Sequence, residues 1–171
     1  ADINETLECW EIALKSNNTP SVIALSRQKV PYVNPNNSKK NKCENGAYEV
    51  SITSHESNVT LVASGTEVEL ALKVQDKLEE NNIHSKVVSM PCMELFDKQP
   101  EKYKRDLIEE DSLVVTLEAG SISSWQKYIK NKGLNLGIDQ FGESAPYQEV
   151  YDHFNLTEEK ITNFIQKKLR E

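Results

Sequence analysis

The chain has 171 residues, a net charge of −7, and 37% hydrophobic against 27% charged side chains, which predicts one full domain with a buried core and some chain to spare. The acidic balance argues against a general binder of nucleic acid or anionic membrane, since both need a basic surface, although a local cationic pocket stays possible. No apolar segment approaches the length that crosses a bilayer, and the N-terminus does not read as a signal peptide.

Residues 1–30 read as the end of a domain. Asp2 or Asn4 can cap a helix carrying Leu7, Trp10, Ile12 and Leu14, which stops at Ser16-Asn17-Asn18-Thr19-Pro20. A short apolar strand, Ser21 to Leu25, then leads into Ser26-Arg27-Gln28. One helix and one strand cannot bury their own apolar faces, and the first residue is Ala1 rather than Met, so a piece of a longer protein is expected. Residues 31–45 form a linker, with Pro31, Pro35, several Asn and the cluster Lys39, Lys40 and Lys42, and without apolar periodicity. The lysines read as a solvated run.

From Gly46 to the C-terminus the pattern is continuous α/β. Ala47 to Thr53 alternates as a strand with Tyr48, Val50 and Ile52 on one face. The turn after it is too short for a parallel crossover, so this strand should run antiparallel to the next or lie at an edge. Val59 to Ala63, the Ser64-Gly65-Thr66 turn, a long helix and Val87-Val88 compose a βαβ unit. After Pro91 come Cys92 to Phe96 and a polar helix opened by Pro100. Ser112 to Leu117 is a β-branched run typical of a strand covered on both faces, and a helix with Trp125, Tyr128 and Ile129 follows. Asn135 to Ile138 is a short last strand, and Pro146 opens a helix through Val150 and Phe154. The final helix is capped by Thr157, with Glu158 and Glu159 at its positive end, Lys167, Lys168 and Arg170 at its negative end, and a buried stripe of Ile161, Phe164, Ile165 and Leu169. The expected fold is an open, mostly parallel twisted sheet with one antiparallel or edge strand and helices on both faces.

Few residues carry chemistry. The Gly65 turn opens a helix, where phosphates often bind, but it matches neither dinucleotide nor P-loop spacing. Ser64 or Thr66 capping the helix accounts for the same residues, and Glu67 there would repel a phosphate. His55, His84 and His153 are isolated in polar surroundings, and no grouping has metal-ligand spacing. Cys9, Cys43 and Cys92 are odd in number and far apart, so reduced structural thiols are expected. Glu118 ends a central strand, where α/β sites gather, with capping of the next turn as its expected role. Arg27 stands apart. A guanidinium just past an apolar strand, between Ser26 and Gln28, can grip a phosphate or carboxylate through two parallel hydrogen bonds, or else pair with an acidic neighbour.

These motifs keep a recognisable order. Leu25-Ser26-Arg27-Gln28 with Pro31, Gly46-Ala47-Tyr48, Ala63-Ser64-Gly65-Thr66-Glu67-Val68, Val87-Val88-Ser89-Met90-Pro91, Glu94-Leu95-Phe96 and Glu118-Ala119-Gly120-Ser121 together resemble the transketolase family. The string from Gly137 to Pro146, Gly-Ile-Asp-Gln-Phe-Gly-Glu-Ser-Ala-Pro, is the most specific of them. Gln140 stands where many relatives have Arg, and Cys92 where Ser is common.

The resemblance implies a transferase of the pentose phosphate pathway that uses thiamine diphosphate and a divalent metal (Mg or Ca) to move a two-carbon ketol unit from a ketose phosphate to an aldose phosphate. It implies a cytoplasmic homodimer. It divides the chain into the end of a pyrimidine-binding domain (1–30), a linker (31–45) and the C-terminal domain (46–171). The family's activating glutamate, catalytic histidines and metal-binding motif belong to upstream segments, so no catalytic, cofactor or metal residue is expected here, and the fragment should be inactive alone. Arg27 matches the family's arginine that holds the substrate phosphate. The alternatives are a non-catalytic α/β module binding a regulator or partner at the Gly65 turn or the Glu118 loop, and the C-terminal part of another thiamine enzyme, such as a dihydroxyacetone synthase or a deoxyxylulose-phosphate synthase.

Overall fold

The computed structural model describes residues 1–33, 40–54, 56–109, 111–129 and 133–171. Five strands, β1 (Tyr48–Ile52), β2 (Val59–Ala63), β3 (Ser85–Ser89), β4 (Leu113–Leu117) and β5 (Leu134–Leu136), form one sheet in the order β1-β3-β2-β4-β5. β3, β2, β4 and β5 are mutually parallel, and β1 runs antiparallel along the outside of β3. The expected mixed α/β sheet is present.

The central strands explain their own lack of alternation. Along β2, Leu61 and Ala63 face one side with Val115 and Leu117 of β4, whereas Val62 faces the other with Val114, and all are buried. On the first face lie α2 (Glu67–Glu79), through Val68, Ala71, Val74 and Leu78, and α6 (Glu158–Leu169), through Ile161 and Ile165. The second face is covered by α3 (Met93–Asp97), α4 (Glu101–Leu107) and a 3₁₀ helix at Ile122–Tyr128, which contribute Phe96, Leu107 and Trp125. Each fully buried large side chain of this kind stabilises by roughly 1.5–3 kcal/mol, so both layers hold the sheet.

The structure departs from the sequence pattern in several places. β1 is at an edge, but its partner is β3, because the βαβ unit places β3 rather than β2 on the outside. A bulge between Glu49 and Ser51 shifts the register, so Tyr48 and Ile52 no longer share a face; only Tyr48 is fully buried. Ser21 to Leu25 is extended chain without a strand partner among the described residues, since a strand exists only where another backbone completes its ladder. In α6, Thr157 holds the cap position without a side-chain bond, and Phe164 and Leu169 are each 41% exposed, because α6 lies at the margin of the sheet beside the three-residue β5. Lys39, Pro35 and His55 lie outside the described residues.

The N-terminal helix α1 (Ile3–Lys15) is capped by Asp2, whose carboxylate accepts from the Glu5 N–H at 2.9 Å. Its inner face is polar. The buried Glu5 carboxylate accepts from the Tyr48 hydroxyl at 3.0 Å and from the Ser89 hydroxyl, a register pair of β1 and β3. Glu8 accepts from the backbone N–H groups of Lys42 (2.8 Å) and Cys43 (3.0 Å), which open a 3₁₀ turn at Cys43–Asn45. Its outer face leaves Ile3, Leu7, Trp10 and Leu14 exposed at helical spacing.

Candidate functional site

The chain leaves β2 toward β3 and leaves β4 toward β5, so its connections diverge between two adjacent parallel strands. Crevices of this kind, at the carboxyl ends of the strands, are where open α/β sheets bind ligands. Two carboxylates arrive there, Glu67 from the start of α2 and Glu118 from just past the end of β4. Glu67 is buried and takes hydrogen bonds from the Thr66 hydroxyl (2.7 Å) and the Tyr151 hydroxyl of α5 (Tyr147–His153). Glu118 is half-buried and accepts from the Trp125 indole N–H at 3.0 Å.

The Gly65 turn is open, since a Cβ added there would meet nothing within 4 Å, and its φ of +56° favours glycine. Neither Ser64 nor Thr66 makes the expected side-chain cap. The Thr66 hydroxyl turns to the Glu67 carboxylate instead, and the Ser64 carbonyl accepts from the Glu67 N–H at 3.2 Å. The first turn of α2 thus already faces a carboxylate held by two hydroxyls. Glu118 also does not cap the following helix; the Ser121 side chain does, accepting from the Ser123 N–H at 3.3 Å.

Burial holds the Glu118 carboxyl above its ordinary value of 4.5; the indole hydrogen bond pulls it down and the charge of Glu67 adds to the rise. Burial and the bond to Glu67 push the Tyr151 hydroxyl well above its usual range, so it stays a donor at neutral pH. A carboxyl whose folded pKa is raised binds its proton more tightly in the folded state. Its contribution is therefore greatest at low pH and is lost as pH rises from 4.5 toward the raised value. Glu118→Gln, which keeps an acceptor for Trp125, should remove this loss. Thermal midpoints measured from about pH 4 to 7 should show wild type losing ground to the variant as pH rises, and parallel profiles would contradict the burial argument.

Arg27 lies in a bend beyond the extended segment and is exposed, and no carboxylate among the described residues pairs with it. The neighbouring Gln28 and Lys29 form one wall of a cleft of about 310 Å³. Its other walls come from Thr66 and Lys73 on the α2 side, and from Tyr147 and Tyr151 of α5. The chain segment carrying Arg27 thus runs along the same end of the sheet as the Glu67–Tyr151 pair. Sequence reasoning missed Tyr151, because its partner Glu67 is 84 positions away and no local pattern links them. His84, half-buried, pairs loosely with Glu79 at 3.2 Å, and the exposed His153 meets Phe154 edge-on, as expected of isolated histidines. Among the described residues, no three metal-ligating side chains gather, and no helix is long and apolar enough to cross a membrane.

Residues 46–157 match the family model for the transketolase-like TK C-terminal domain. The chain belongs to the transketolase family. Its similarity to curated transketolases extends further, with 38% identity to that of Aquifex aeolicus over 98% of this chain and 25% of the relative. The chain therefore spans about a quarter of the length of the curated relatives it matches. A solved Pichia stipitis transketolase in complex with sedoheptulose 7-phosphate superposes with a TM-score of 0.90 at 31% identity, over 99% of this chain and 24% of that one. The Campylobacter jejuni transketolase structure gives 0.84 at 36% identity, over 95% of this chain and 24% of that one. One glycine of the Gly137–Pro146 string is crowded. A Cβ on Gly137 would meet the carbonyl oxygens of Gly120 at 2.8 Å and Glu118 at 2.9 Å, so the string begins where β5 packs on the Glu118 loop.

Proposed function

We propose that the whole protein is a transketolase, transferring a two-carbon ketol unit from a ketose phosphate to an aldose phosphate, and that this chain supplies Arg27 to hold the substrate phosphate. The observation that carries the reading is family similarity along nearly the whole chain, which includes the Ser26-Arg27-Gln28 segment upstream of the matched domain. The exposed guanidinium, without a carboxylate partner among the described residues, supports it. A planar fork free of an ion pair can take two phosphate oxygens in parallel hydrogen bonds.

Residues 1–30 are the end of a pyrimidine-binding domain in this reading, 31–45 the linker and 46–171 the C-terminal domain. Two features support the division: the family model starts at residue 46, and α1 presents Ile3, Leu7, Trp10 and Leu14 to solvent, an apolar face suited to the rest of such a domain. Phe141, 98% exposed in the Gly137–Pro146 loop, suits a contact with the remainder of the protein or with a second copy in a homodimer. Three free cysteines accord with a cytoplasmic protein.

Thiamine diphosphate with a divalent metal is the cofactor that this family reading brings to the whole protein. The residues of this chain do not suit it. The helix start that could receive a diphosphate has Glu67 in its first turn, and a carboxylate there repels the group that a phosphate site must attract. The cofactor's chemistry thus belongs to other parts of the protein, and Arg27 acts only on the substrate's phosphate. The test is the preference of the Arg27→Ala enzyme between phosphorylated and free sugars; a preference that survives intact refutes the role.

A further inference from the structure

Two cysteines that are 34 positions apart in sequence meet where α1 rests on the 3₁₀ turn at Cys43–Asn45. Cys43 is held there by its backbone, whose N–H bonds the Glu8 carboxylate at 3.0 Å, one residue before Cys9. The Cys43 thiol lies 3.9 Å from the Glu5 carbonyl oxygen, the acceptor that helix geometry pairs with the Cys9 N–H. Side chains on a helix lean toward its N-terminus, so the Cys9 thiol is brought over the same turn, beside the thiol of Cys43. Cys43 is completely buried, whereas Cys9 is half-buried at the edge of the contact.

We propose that Cys9 and Cys43 are a redox-active dithiol, which a low-molecular-weight disulfide such as glutathione disulfide oxidises to an intramolecular bridge fastening α1 to the sheet. The Cys9 thiolate attacks one sulfur of glutathione disulfide, forming a mixed disulfide and expelling one glutathione thiolate. Cys43 then gives up its proton and attacks the Cys9 sulfur, expelling the second glutathione thiolate. Two protein thiols are oxidised and one glutathione disulfide is reduced to two glutathione thiols.

The environment sets this order. The neighbouring Cys43 thiol holds the Cys9 thiol below its usual range, against burial and the Glu5 and Glu8 carboxylates, which push it up. The neighbouring Cys9, together with burial, pushes the Cys43 thiol far up, so it attacks only when the mixed disulfide on Cys9 presents a sulfur beside it. Cys92 has no cysteine neighbour, and burial raises its thiol. It provides an internal control.

The test treats the whole protein with glutathione disulfide, blocks the remaining thiols by alkylation and maps the tryptic peptides by mass. The expected product joins the peptide ending at Lys15 to the peptide beginning at Cys43, lighter by two hydrogens than the pair. Amide exchange in α1 should slow by about tenfold or more and recover with dithiothreitol. Cys43→Ser should stop with one glutathione on Cys9. Cys9→Ser, at the more exposed position, should leave Cys43 without glutathione even if the other variant does not fold. Both thiols recovered alkylated, glutathione on both in one molecule, a bridge to Cys92 or between two molecules, or glutathione on Cys43 in Cys9→Ser would each overturn the proposal.

Discussion

Arg27→Ala in the whole enzyme is expected to raise KM for phosphorylated sugars by about 10- to 100-fold while sparing unphosphorylated ones. The magnitude follows from losing a charge-assisted hydrogen bond worth about 1.5–3 kcal/mol, at 1.4 kcal/mol per factor of ten. Arg27 is exposed and free of a carboxylate partner among the described residues, so removing it leaves no buried charge unpaired. The loss should thus appear in substrate binding rather than in folding. Arg27→Lys should recover only part of it, since a point charge cannot reproduce the planar fork. Equal losses for phosphorylated and free sugars would remove the phosphate role and leave a structural one.

The largest stability effect is expected at Gly46. Its φ of +78° lies in the left-handed region, and a Cβ there would meet Phe96 N at 2.2 Å, Cys92 O at 2.4 Å and Leu95 C at 2.8 Å. All three are backbone atoms at the start of α3, where the Gly46 carbonyl also accepts from the Cys92 N–H at 3.0 Å. No flexible side chain can move aside, so β1 or α3 must shift. Gly46→Ala should cost about 2–5 kcal/mol, combining about 1–2 kcal/mol of backbone strain with about 1–3 kcal/mol of overpacking. Gly65→Ala is the comparison, with φ +56° but open space around its Cβ, and should cost only the conformational part. Urea unfolding of both variants measures the difference. Midpoints that fall together would show that the α3 contact does not constrain Gly46.

The legible parts of the fold were those in which local pattern and burial agree. β2 and β4 are covered on both faces, so their runs are apolar without alternation, and α2 packs between them and α6 with the expected stripe. Pairing was less legible. β1 beside β3 depends on where the βαβ unit places β3, and the bulge after Glu49 reverses a face that simple alternation assigns. Ser21 to Leu25 has strand composition but no strand partner among the described residues, and composition does not supply one. Arg27, the residue proposed to hold the substrate phosphate, stands out in the sequence as a cation next to an apolar segment. The hydroxyl clasp on Glu67, the indole on Glu118 and the meeting of Cys9 with Cys43 are contacts between distant segments, which spacing in the sequence does not encode.

In the proposed reading, ketol transfer takes place outside this chain, which contributes a grip on the substrate's phosphate. The most direct measurement is to titrate the 171-residue chain with thiamine diphosphate and Mg by calorimetry, and to assay ketol transfer in the same samples. Neither saturable heat nor turnover is expected, because the helix start that could receive a diphosphate already carries Glu67. Saturable binding of the cofactor, or any transfer between sugar phosphates by this chain alone, would contradict it.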